Sequence, residues 1–374
     1  MRILLNATAA ELDQLGGDFT LYRDWRRLPG RDLEFEFLAP QRGRQSSVFL
    51  RKGFEKLCRT WEPASLRRRL FLISRFLYVP RQATERVDLV FSHLLFPWTT
   101  DARSPIVWSS QGISPAAYYE RYYNRNQWTA EDVAWMYREL GRKADALVIS
   151  THACARNVIE WCPELVAKIH VVPAPVFVDS LQFPKKPSRR DGLVRLLFVG
   201  VDAERKGLPE VVEAYRCLRT KHANLLLDIV SRPREDLRRK ISALPGATLH
   251  LSSPNVDVRS LMARADVFVL PTRADTYALA AVEAMAYGCA VVLSDLEPLP
   301  EVAPDNEVGF VVPSGNAKAL AERLEVLLDT EASLRRFQAG AWQRYLSYHA
   351  PEVVAKQMKR VFSSLLTKAK GEPS

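Results

Sequence analysis

Long apolar runs and a secretory leader are missing from this chain of 374 residues. The apolar stretch Leu70 to Val79 is interrupted by Ser74 and Arg75 and is far shorter than the ~20 residues that a membrane-spanning helix needs. The apolar opening at residues 1–5 is likewise shorter than the core of about 7–15 residues that a secretory signal requires. We therefore expect a cytoplasmic protein.

Cysteine pairs and metal-binding motifs are also missing. The five cysteines form an odd set without a Cys-x-x-Cys pair, which predicts reduced thiols of the kind found in the cytosol. The sequence contains no His-Glu-x-x-His and no nucleophile elbow. We predict that the protein holds no metal and no other cofactor.

Positive charge is abundant, and it is concentrated in one segment. The formal net charge is +10, and residues 42–86 contain twelve Lys or Arg against three Glu. Such a cluster indicates an anionic partner, and here cations alternate with apolar residues as in helices that bind membrane surfaces. Three interpretations of this segment stay open: core-packing helices with a solvated basic face, binding to an anionic membrane surface, and binding to a polyanionic acceptor, of which nucleic acid is the least favoured.

Strand-like and helix-like segments alternate along most of the chain, which predicts parallel sheets covered by helices on both faces. The strand-like runs are 3–5, 33–37, 87–92, 105–108, 146–150 and 169–172, then 195–200, 225–230, 248–251, 266–270, 290–294 and 309–312. Helical patterns are clearest at 127–143, 208–220, 333–345 and 351–366. The fold class is therefore α/β, with two Rossmann-like doubly wound parallel-sheet domains facing a cleft.

A proline-rich linker from Pro173 to Arg190 separates the two arrays. We predict an N-terminal, acceptor-binding domain over residues 1–185 and a C-terminal, donor-binding domain over 190–348. Residues 349–374 are predicted to form a helix that returns to the first domain. Ligands of such sheets lie at the carboxyl ends of the strands, so the loops that follow the strands carry the candidate site.

The segment Pro271–Gly288 follows one of these strands and combines a loop carboxylate with a helix. We predict that the helix begins near Thr276, that its first-turn N–H groups over residues 276–279 bind phosphate, and that Asp275 caps it. Glu283 lies eight residues after Asp275, about two helical turns, so both carboxylates are predicted to face one ligand. An N-cap and a solvated glutamate are the alternative interpretation.

This segment resembles the signature of family 4 of the retaining glycosyltransferases with the GT-B fold. Four segments of the chain resemble parts of this signature in the same order: Glu283–Gly288, Ala290–Val292, Pro300–Val302 and Gly309–Gly315. The resemblance implies that Asp275 contacts the transferred sugar and that Glu283 holds the ribose hydroxyls. Family members have Glu-Gly-Phe-Gly where this chain has Asp275-Thr276-Tyr277-Ala278, followed by Leu279.

A second element, Phe198–Gly207, resembles the family's Lys-Gly loop, in the Arg-Lys-Gly form of its lipopolysaccharide-core branch. Gly200 lets a ligand approach the backbone closely, and Arg205 and Lys206 are predicted to stabilise the leaving diphosphate. With Asp275 they form the predicted catalytic set.

Elements of the N-terminal half match the family less well. Gly16-Gly17 resembles the family's glycine pair, which borders the donor site, and ordinary turn glycines are the alternative. His93 and Gln111 are predicted on the acceptor side, and a structural hydrogen-bonding role is the alternative for His93. Gln111 replaces a histidine of the family and is unable to titrate.

The resemblance implies retaining transfer of a sugar from a nucleoside diphosphate donor to a glycan or lipid-linked acceptor. The Asp-x-Asp of metal-dependent transferases is absent, and on this ground we predict that no metal is needed. A GT-B nucleotide-sugar epimerase and a non-catalytic GT-B binding protein stay open as alternatives. The predicted location is the cytoplasm, peripherally on the inner face of the cell membrane.

Overall fold

The computed structural model describes residues 1–5, 33–37, 76–78, 87–93, 96–98, 104–112, 130–178, 192–253 and 255–369. These residues belong to two compact units. Unit 1 comprises Met1–Pro175 and Pro351–Ser374, and unit 2 comprises Val176–Ala350. The sequence predicts the corresponding boundaries after residues 185 and 348. The predicted glycine pair Gly16-Gly17 and nearly all of the basic segment 42–86 lie outside the described residues.

Unit 1 contains a six-stranded sheet whose described strand pairs are all parallel. The strand order is β2-β1-β4-β6-β7-β8. The strands are β1 Arg2–Leu5, β2 Glu34–Phe37, β4 Leu89–His93, β6 Ile106–Ser110, β7 Ala146–Ile149 and β8 Ile169–Val171. Two short strands, β3 Phe76–Tyr78 and β5 Phe96–Trp98, pair separately. Every residue of β6 and β7 is buried, as expected of parallel strands covered on both faces.

Two helices of unit 1 follow its strands. They are α1, Ala130–Lys143, and α2, His152–Trp161, with a 3-10 turn at Pro163–Lys168. Helix α2 begins after Thr151, whose hydroxyl accepts a hydrogen bond from the Cys154 N–H at 3.2 Å. This is the N-cap arrangement that satisfies one of the unpaired first-turn amides.

Unit 2 contains a second parallel sheet, with the order β11-β10-β9-β12-β13-β14. The strands are β9 Val194–Val199, β10 Leu225–Ser231, β11 Ala247–Leu251, β12 Val267–Leu270, β13 Ala290–Ser294 and β14 Gly309–Val312. Numbered within the unit this is 3-2-1-4-5-6, the order of dinucleotide-binding sheets. Leu196, Leu197 and Phe198 of the central strand β9 are completely buried.

Seven helices are described in unit 2, and a π-helical turn at Tyr345–His349 follows the last of them. They are α3 Leu208–Arg219, α4 Glu235–Ser242, α5 Val258–Arg264, α6 Leu279–Ala286, α7 Leu299–Val302, α8 Ala317–Leu328 and α9 Glu331–Arg344. The sequence patterns at 208–220 and 333–345 predicted two of these helices to within two residues at each end.

The final helix, α10, spans Pro351–Ala369 and belongs to unit 1. Its buried residues Val354, Met358, Val361, Phe362 and Leu365 recur at three- or four-residue intervals and form one apolar face. The ring of Phe362 meets that of Phe91 on β4 edge to face, with 5.9 Å between ring centroids. Among the described residues no helix is long and apolar enough to span a membrane.

Candidate functional site

The strand order of unit 2 places two loops side by side. Strand β9 lies between β10 and β12, and the chain winds outward in opposite directions from these two neighbours. Ligands of doubly wound sheets bind outside the carboxyl ends of the strands at this reversal point. The loops that leave it are residues 200–207, after β9, and residues 271–278, after β12. These are the two loops that carry the sequence-predicted catalytic residues.

Hydrogen bonds join the two loops directly. The N–H of Arg273 donates to the carbonyl of Arg205 at 2.7 Å, and the Thr272 hydroxyl donates to the same carbonyl at 3.2 Å. In the opposite direction, the Arg205 guanidinium donates to the carbonyl of Ala274 at 2.8 Å. The loops therefore position each other, and a change in one is transmitted to the other.

Asp275 is the buried centre of this arrangement, with an exposed fraction of 8%. Its Oδ1 accepts hydrogen bonds from the N–H groups of Thr276, Tyr277 and Ala278 at 2.9, 3.3 and 3.0 Å. Its Oδ2 accepts a hydrogen bond from the Lys206 ammonium on the other loop. The structure thus brings all three predicted catalytic residues to one place, with Lys206 and Asp275 in direct contact.

Electrostatics keep the Asp275 carboxylate charged. Burial raises the pKa of Asp275, but the charge and hydrogen bond of Lys206, the Ala278 N–H and the charge of Arg205 outweigh it. The net effect is a pKa below the ordinary 3.8. At neutral pH the pair is therefore an ammonium against a carboxylate, held in a largely desolvated loop.

The predicted start of the helix is wrong by three residues. Helix α6 begins at Leu279, and Ala278 occupies the N-cap position in a left-handed conformation with φ 53°. Asp275 folds the preceding loop instead of capping the helix, and it already binds the N–H groups of residues 276–278. The backbone donors without an intrahelical acceptor are those of Leu279 and Ala280, at the true start of the helix.

This shift also changes the argument about Glu283. Only Glu283 lies on α6, as its fifth residue, while Asp275 lies in the loop, so a two-turn helical spacing does not relate the carboxylates. Glu283 is half-buried. Its assignment to the ribose, like that of Asp275 to the sugar, stays a prediction.

The glycines of the first loop are required by close packing inside the protein. A Cβ at Gly200 would lie 2.8 Å from Cβ of Lys206, so the stem of Lys206 fills the space that we predicted for a ligand. Gly207 has φ +80°, and a Cβ there would lie 2.2 Å from the carbonyl oxygen of Pro271. Glycine at both positions lets the two loops approach each other.

Two contacts of the second loop were not predicted from the sequence. Tyr277 is buried, and its hydroxyl lies 2.8 Å from Nδ1 of His349. The Arg273 guanidinium contacts the buried carboxylate of Glu210 in the first turn of α3. The partners are 72 and 63 residues apart in sequence, so no local spacing connects them. The one available signal was a hydroxyl at Tyr277, where the resembling family has phenylalanine.

The predicted acceptor-side residues lie at the carboxyl edge of the sheet in unit 1. His93 ends β4, and Gln111 directly follows β6, the strand that pairs with it. Gln111 is half-buried. Its neighbour Gly112 has φ +101°, and a Cβ there would lie 2.4 Å from Cβ of Cys154. Residues 93 and 111 therefore share one edge of the sheet, as predicted from the strand pattern.

No group of three or more His, Cys, Asp or Glu side chains that could hold a metal ion occurs within the described ranges. The predicted absence of a metal requirement stays a prediction.

Two family models together match residues 7–344. The model described as Glycosyltransferase Family 4 matches residues 7–180, and the model described as Glycosyl transferases group 1 matches residues 179–344. The second match includes both loops of the candidate site, and the first includes the described strands β2–β8.

A curated relative is the phosphatidyl-myo-inositol mannosyltransferase of Mycobacterium leprae, which is 32% identical over 201 residues. The match covers 52% of this chain and 54% of the relative, so the chain spans about half the length of the curated relatives that it matches.

Solved structures resemble the whole fold. Sucrose-phosphate synthase from Thermosynechococcus elongatus has a TM-score of 0.71 at 15% identity, covering 98% of this chain and 100% of that one. Anabaena HepE, in complex with UDP and glucose, has a TM-score of 0.63 at 15% identity, covering 97% and 100%. The predicted fold class is confirmed as GT-B, and the chain belongs to the family-4 glycosyltransferases.

Proposed function

We propose that this protein is a retaining, metal-independent glycosyltransferase that moves a hexose or related sugar from a nucleoside diphosphate to a glycan or lipid-linked acceptor. The observation that carries the proposal is the meeting of Arg205, Lys206 and Asp275 where the carboxyl ends of β9 and β12 adjoin. A donor diphosphate at this edge would lie beside two fixed cations and the start of α6.

The cations suit the chemistry of a departing diphosphate. As the bond from the sugar C1 to the phosphate oxygen breaks, negative charge grows on that oxygen. Lys206 has three N–H donors and directs one to Asp275, while the planar guanidinium of Arg205 matches phosphate geometry. Fixed positive groups near the developing charge lower the barrier because they need no reorganisation during the reaction.

Retention follows from attack on the face that the phosphate leaves. The acceptor oxygen forms its bond to C1 on that face, and the acceptor proton passes to the departing phosphate oxygen. The protein then needs to position the two substrates and stabilise charge, and no covalent nucleophile takes part. Arg205 and Lys206 would supply the positive charge that metal-dependent transferases obtain from a cation.

The relatives suggest which substrates to test. A matched relative is named a phosphatidyl-myo-inositol mannosyltransferase, and a structural neighbour contains UDP and glucose. We therefore propose a hexose such as mannose or glucose as the transferred sugar, UDP as the first nucleotide carrier to test, and a lipid-linked acceptor as the first candidate. In the same donor complex we propose that Asp275 contacts the transferred sugar and that Glu283 holds the ribose hydroxyls.

The decisive experiment measures donor binding and turnover with purified protein. UDP, GDP, ADP and their glucose, mannose and N-acetylglucosamine conjugates are tested by calorimetry, and release of the diphosphate is followed with and without EDTA. We expect binding of one nucleotide family, an α-linked product by NMR, and no effect of EDTA. Failure to bind any donor would refute the proposal, and an epimerised donor or binding without transfer would assign one of the alternatives.

We also propose that the basic segment, residues 42–86, holds the enzyme peripherally on the cytoplasmic face of the cell membrane. Its excess of nine positive charges supports this, because polybasic segments with apolar residues bind anionic lipid surfaces. Vesicles of phosphatidylglycerol should bind the protein in flotation, and phosphatidylcholine vesicles should not. Neutralising Arg67, Arg68 and Arg69 to Gln should weaken flotation, and unchanged flotation would contradict the proposal.

A further inference from the structure

The loop that precedes α6 is held in a conformation that its residues do not favour. Ala278 has φ 53° and ψ 53°, the left-handed region in which a side chain with a Cβ crowds its own backbone. It is 2% exposed and is the residue from which α6 starts at Leu279. Something outside the residue must therefore maintain this conformation.

The first restraint is local. Oδ1 of Asp275 binds the N–H of Ala278 at 3.0 Å, together with those of Thr276 and Tyr277. These bonds gather the loop around one carboxylate oxygen, but all of the partners belong to the loop. Arg205 and Lys206 of the first loop hold Ala274 and Asp275 from outside, and a contact at Tyr277, the residue before Ala278, would hold the second half of the loop.

Tyr277 supplies that contact. Its side chain is 1% exposed, and its hydroxyl lies 2.8 Å from Nδ1 of His349, which is fully buried. Nε2 of His349 lies 3.3 Å from the carbonyl oxygen of Val302, at the end of α7. Because a carbonyl only accepts, Nε2 carries the hydrogen, and Nδ1 accepts from the tyrosine hydroxyl. Burial lowers the pKa of His349 to about 3, which keeps this neutral form at working pH.

The segment that presents His349 is itself fixed. Arg344 donates from Nε to the carbonyl of Val302 at 3.2 Å, and Tyr345 donates to the carbonyl of Val176 at 3.0 Å. The N–H of Val176 donates to the carbonyl of His349 at 3.3 Å. The imidazole therefore belongs to the π-helical turn 345–349, and hydrogen bonds from this segment to α7 and to Val176, the first residue of unit 2, hold the turn in place.

We propose that His349 is a positioning residue of the donor site: through the Tyr277 hydroxyl it holds residues 275–278 so that Ala278 stays left-handed and α6 begins at Leu279. The link to donor binding rests on the proposed function, whereas the effect on the loop does not. Loss of the hydrogen bond should let Ala278 relax, and should move Asp275 and the helix start away from the place proposed for the diphosphate.

The test removes one oxygen atom. Tyr277→Phe keeps the buried ring and deletes the hydroxyl, and His349→Leu removes the acceptor as a second, independent variant. Tyr348→Phe is the matched control, because its ring also packs on His349, with 4.9 Å between ring centroids, while its hydroxyl binds Glu301 at 3.4 Å. Adding Ala278→Gly to Tyr277→Phe tests the strain, since glycine adopts the left-handed region freely.

Hydrogen exchange of a peptide covering 271–288 is measured without any donor, and diphosphate affinity by calorimetry. Tyr277→Phe and His349→Leu should each speed exchange at residues 276–278 and weaken the diphosphate about fivefold, as expected for one buried hydrogen bond. Tyr348→Phe should change neither, and Ala278→Gly should return both toward wild type. Exchange equal to wild type in Tyr277→Phe, an equal effect of Tyr348→Phe, or no rescue by glycine would overturn the proposal. A wild-type protein that binds no diphosphate would refute the proposed function and leave the exchange result to decide this one.

Discussion

Replacing Lys206 by methionine should destabilise unit 2 far more than loss of an ordinary surface lysine. The change keeps the length and volume of the stem, which packs against Gly200, and removes only the charge. The carboxylate of Asp275 then stays buried with its three backbone donors and no counter-ion. Breaking a buried pair by removing one partner costs about 3–5 kcal/mol.

We expect the lower end of that range, about 3 kcal/mol, because the backbone donors continue to stabilise the carboxylate. For a unit of this size 1 kcal/mol shifts Tm by about 2–4 °C, so the variant should melt about 6–12 °C lower. The double variant Lys206→Met/Asp275→Asn removes both charges and keeps an oxygen for the loop amides. It should recover most of the loss, giving a coupling free energy of about 2 kcal/mol.

Lys221 provides the control, since it pairs with Glu325 at 2.8 Å on the surface of the same unit, with the lysine side chain 62% exposed. Lys221→Met should cost less than about 1 kcal/mol. Urea unfolding at pH 7 measures five proteins: the wild type, Lys206→Met, Asp275→Asn, the double variant and Lys221→Met. Equal losses for Lys206→Met and Lys221→Met, or a double variant as unstable as the sum of its parts, would refute the assignment of Lys206 and Asp275 as a buried, coupled pair.

Three further predictions follow from particular contacts. Gly207→Ala should cost about 2–5 kcal/mol in urea unfolding, combining left-handed strain with the 2.2 Å approach to the Pro271 carbonyl, whereas Gly315→Ala, at φ +77° with nothing within 4 Å, should cost only about 1–2; equal losses would contradict the clash. His349 has a folded pKa of about 3 against an ordinary 6.5, so the unfolded chain binds a proton first as the pH falls below 6.5. Its contribution should therefore reduce wild-type stability by about 1.4 kcal/mol per pH unit between 6.5 and about 3, and His349→Gln should remove that slope when unfolding is compared at pH 6.5 and 5; parallel curves would show that His349 is not buried and neutral. Glu283→Ala should weaken the nucleoside diphosphate about 10–100-fold but leave binding of its 2′,3′-dideoxy form unchanged, with exposed Glu322→Ala as the control; loss of affinity for both forms would exclude the ribose role.

The doubly wound architecture could be predicted from the sequence because strands and helices have different apolar periodicities. The buried run at β12 and the alternation of strands with helices depend on local residue order, so they are legible without coordinates. The position of the charged groups could also be predicted. Arg205-Lys206 follows one strand and Asp275 follows another, so both groups were expected at the carboxyl edge of a parallel sheet. The family resemblance supplied the roles that spacing alone left open.

The start of α6 was predicted too early because Asp275 before a helical pattern is a common N-cap signal. In the structure that carboxylate accepts hydrogen bonds from three consecutive loop amides, and Ala278 turns the chain by adopting a conformation that alanine disfavours. Local propensity gives no indication of such a turn, because the buried Tyr277 and His349 that accompany it come from distant parts of the chain.

Sequence by itself determined the two parallel-sheet halves, the position of the catalytic candidates on strand-end loops and the basic character of residues 42–86, since each is a property of neighbouring residues. Only the tertiary structure decided which groups meet. In the folded protein Lys206 forms an ion pair with Asp275, 69 residues away, and the stem of Lys206 packs against Gly200. The Tyr277 hydroxyl forms a hydrogen bond with His349. These contacts depend on the order in which strands assemble and on the close packing of side chains, and neither is a local property of the chain.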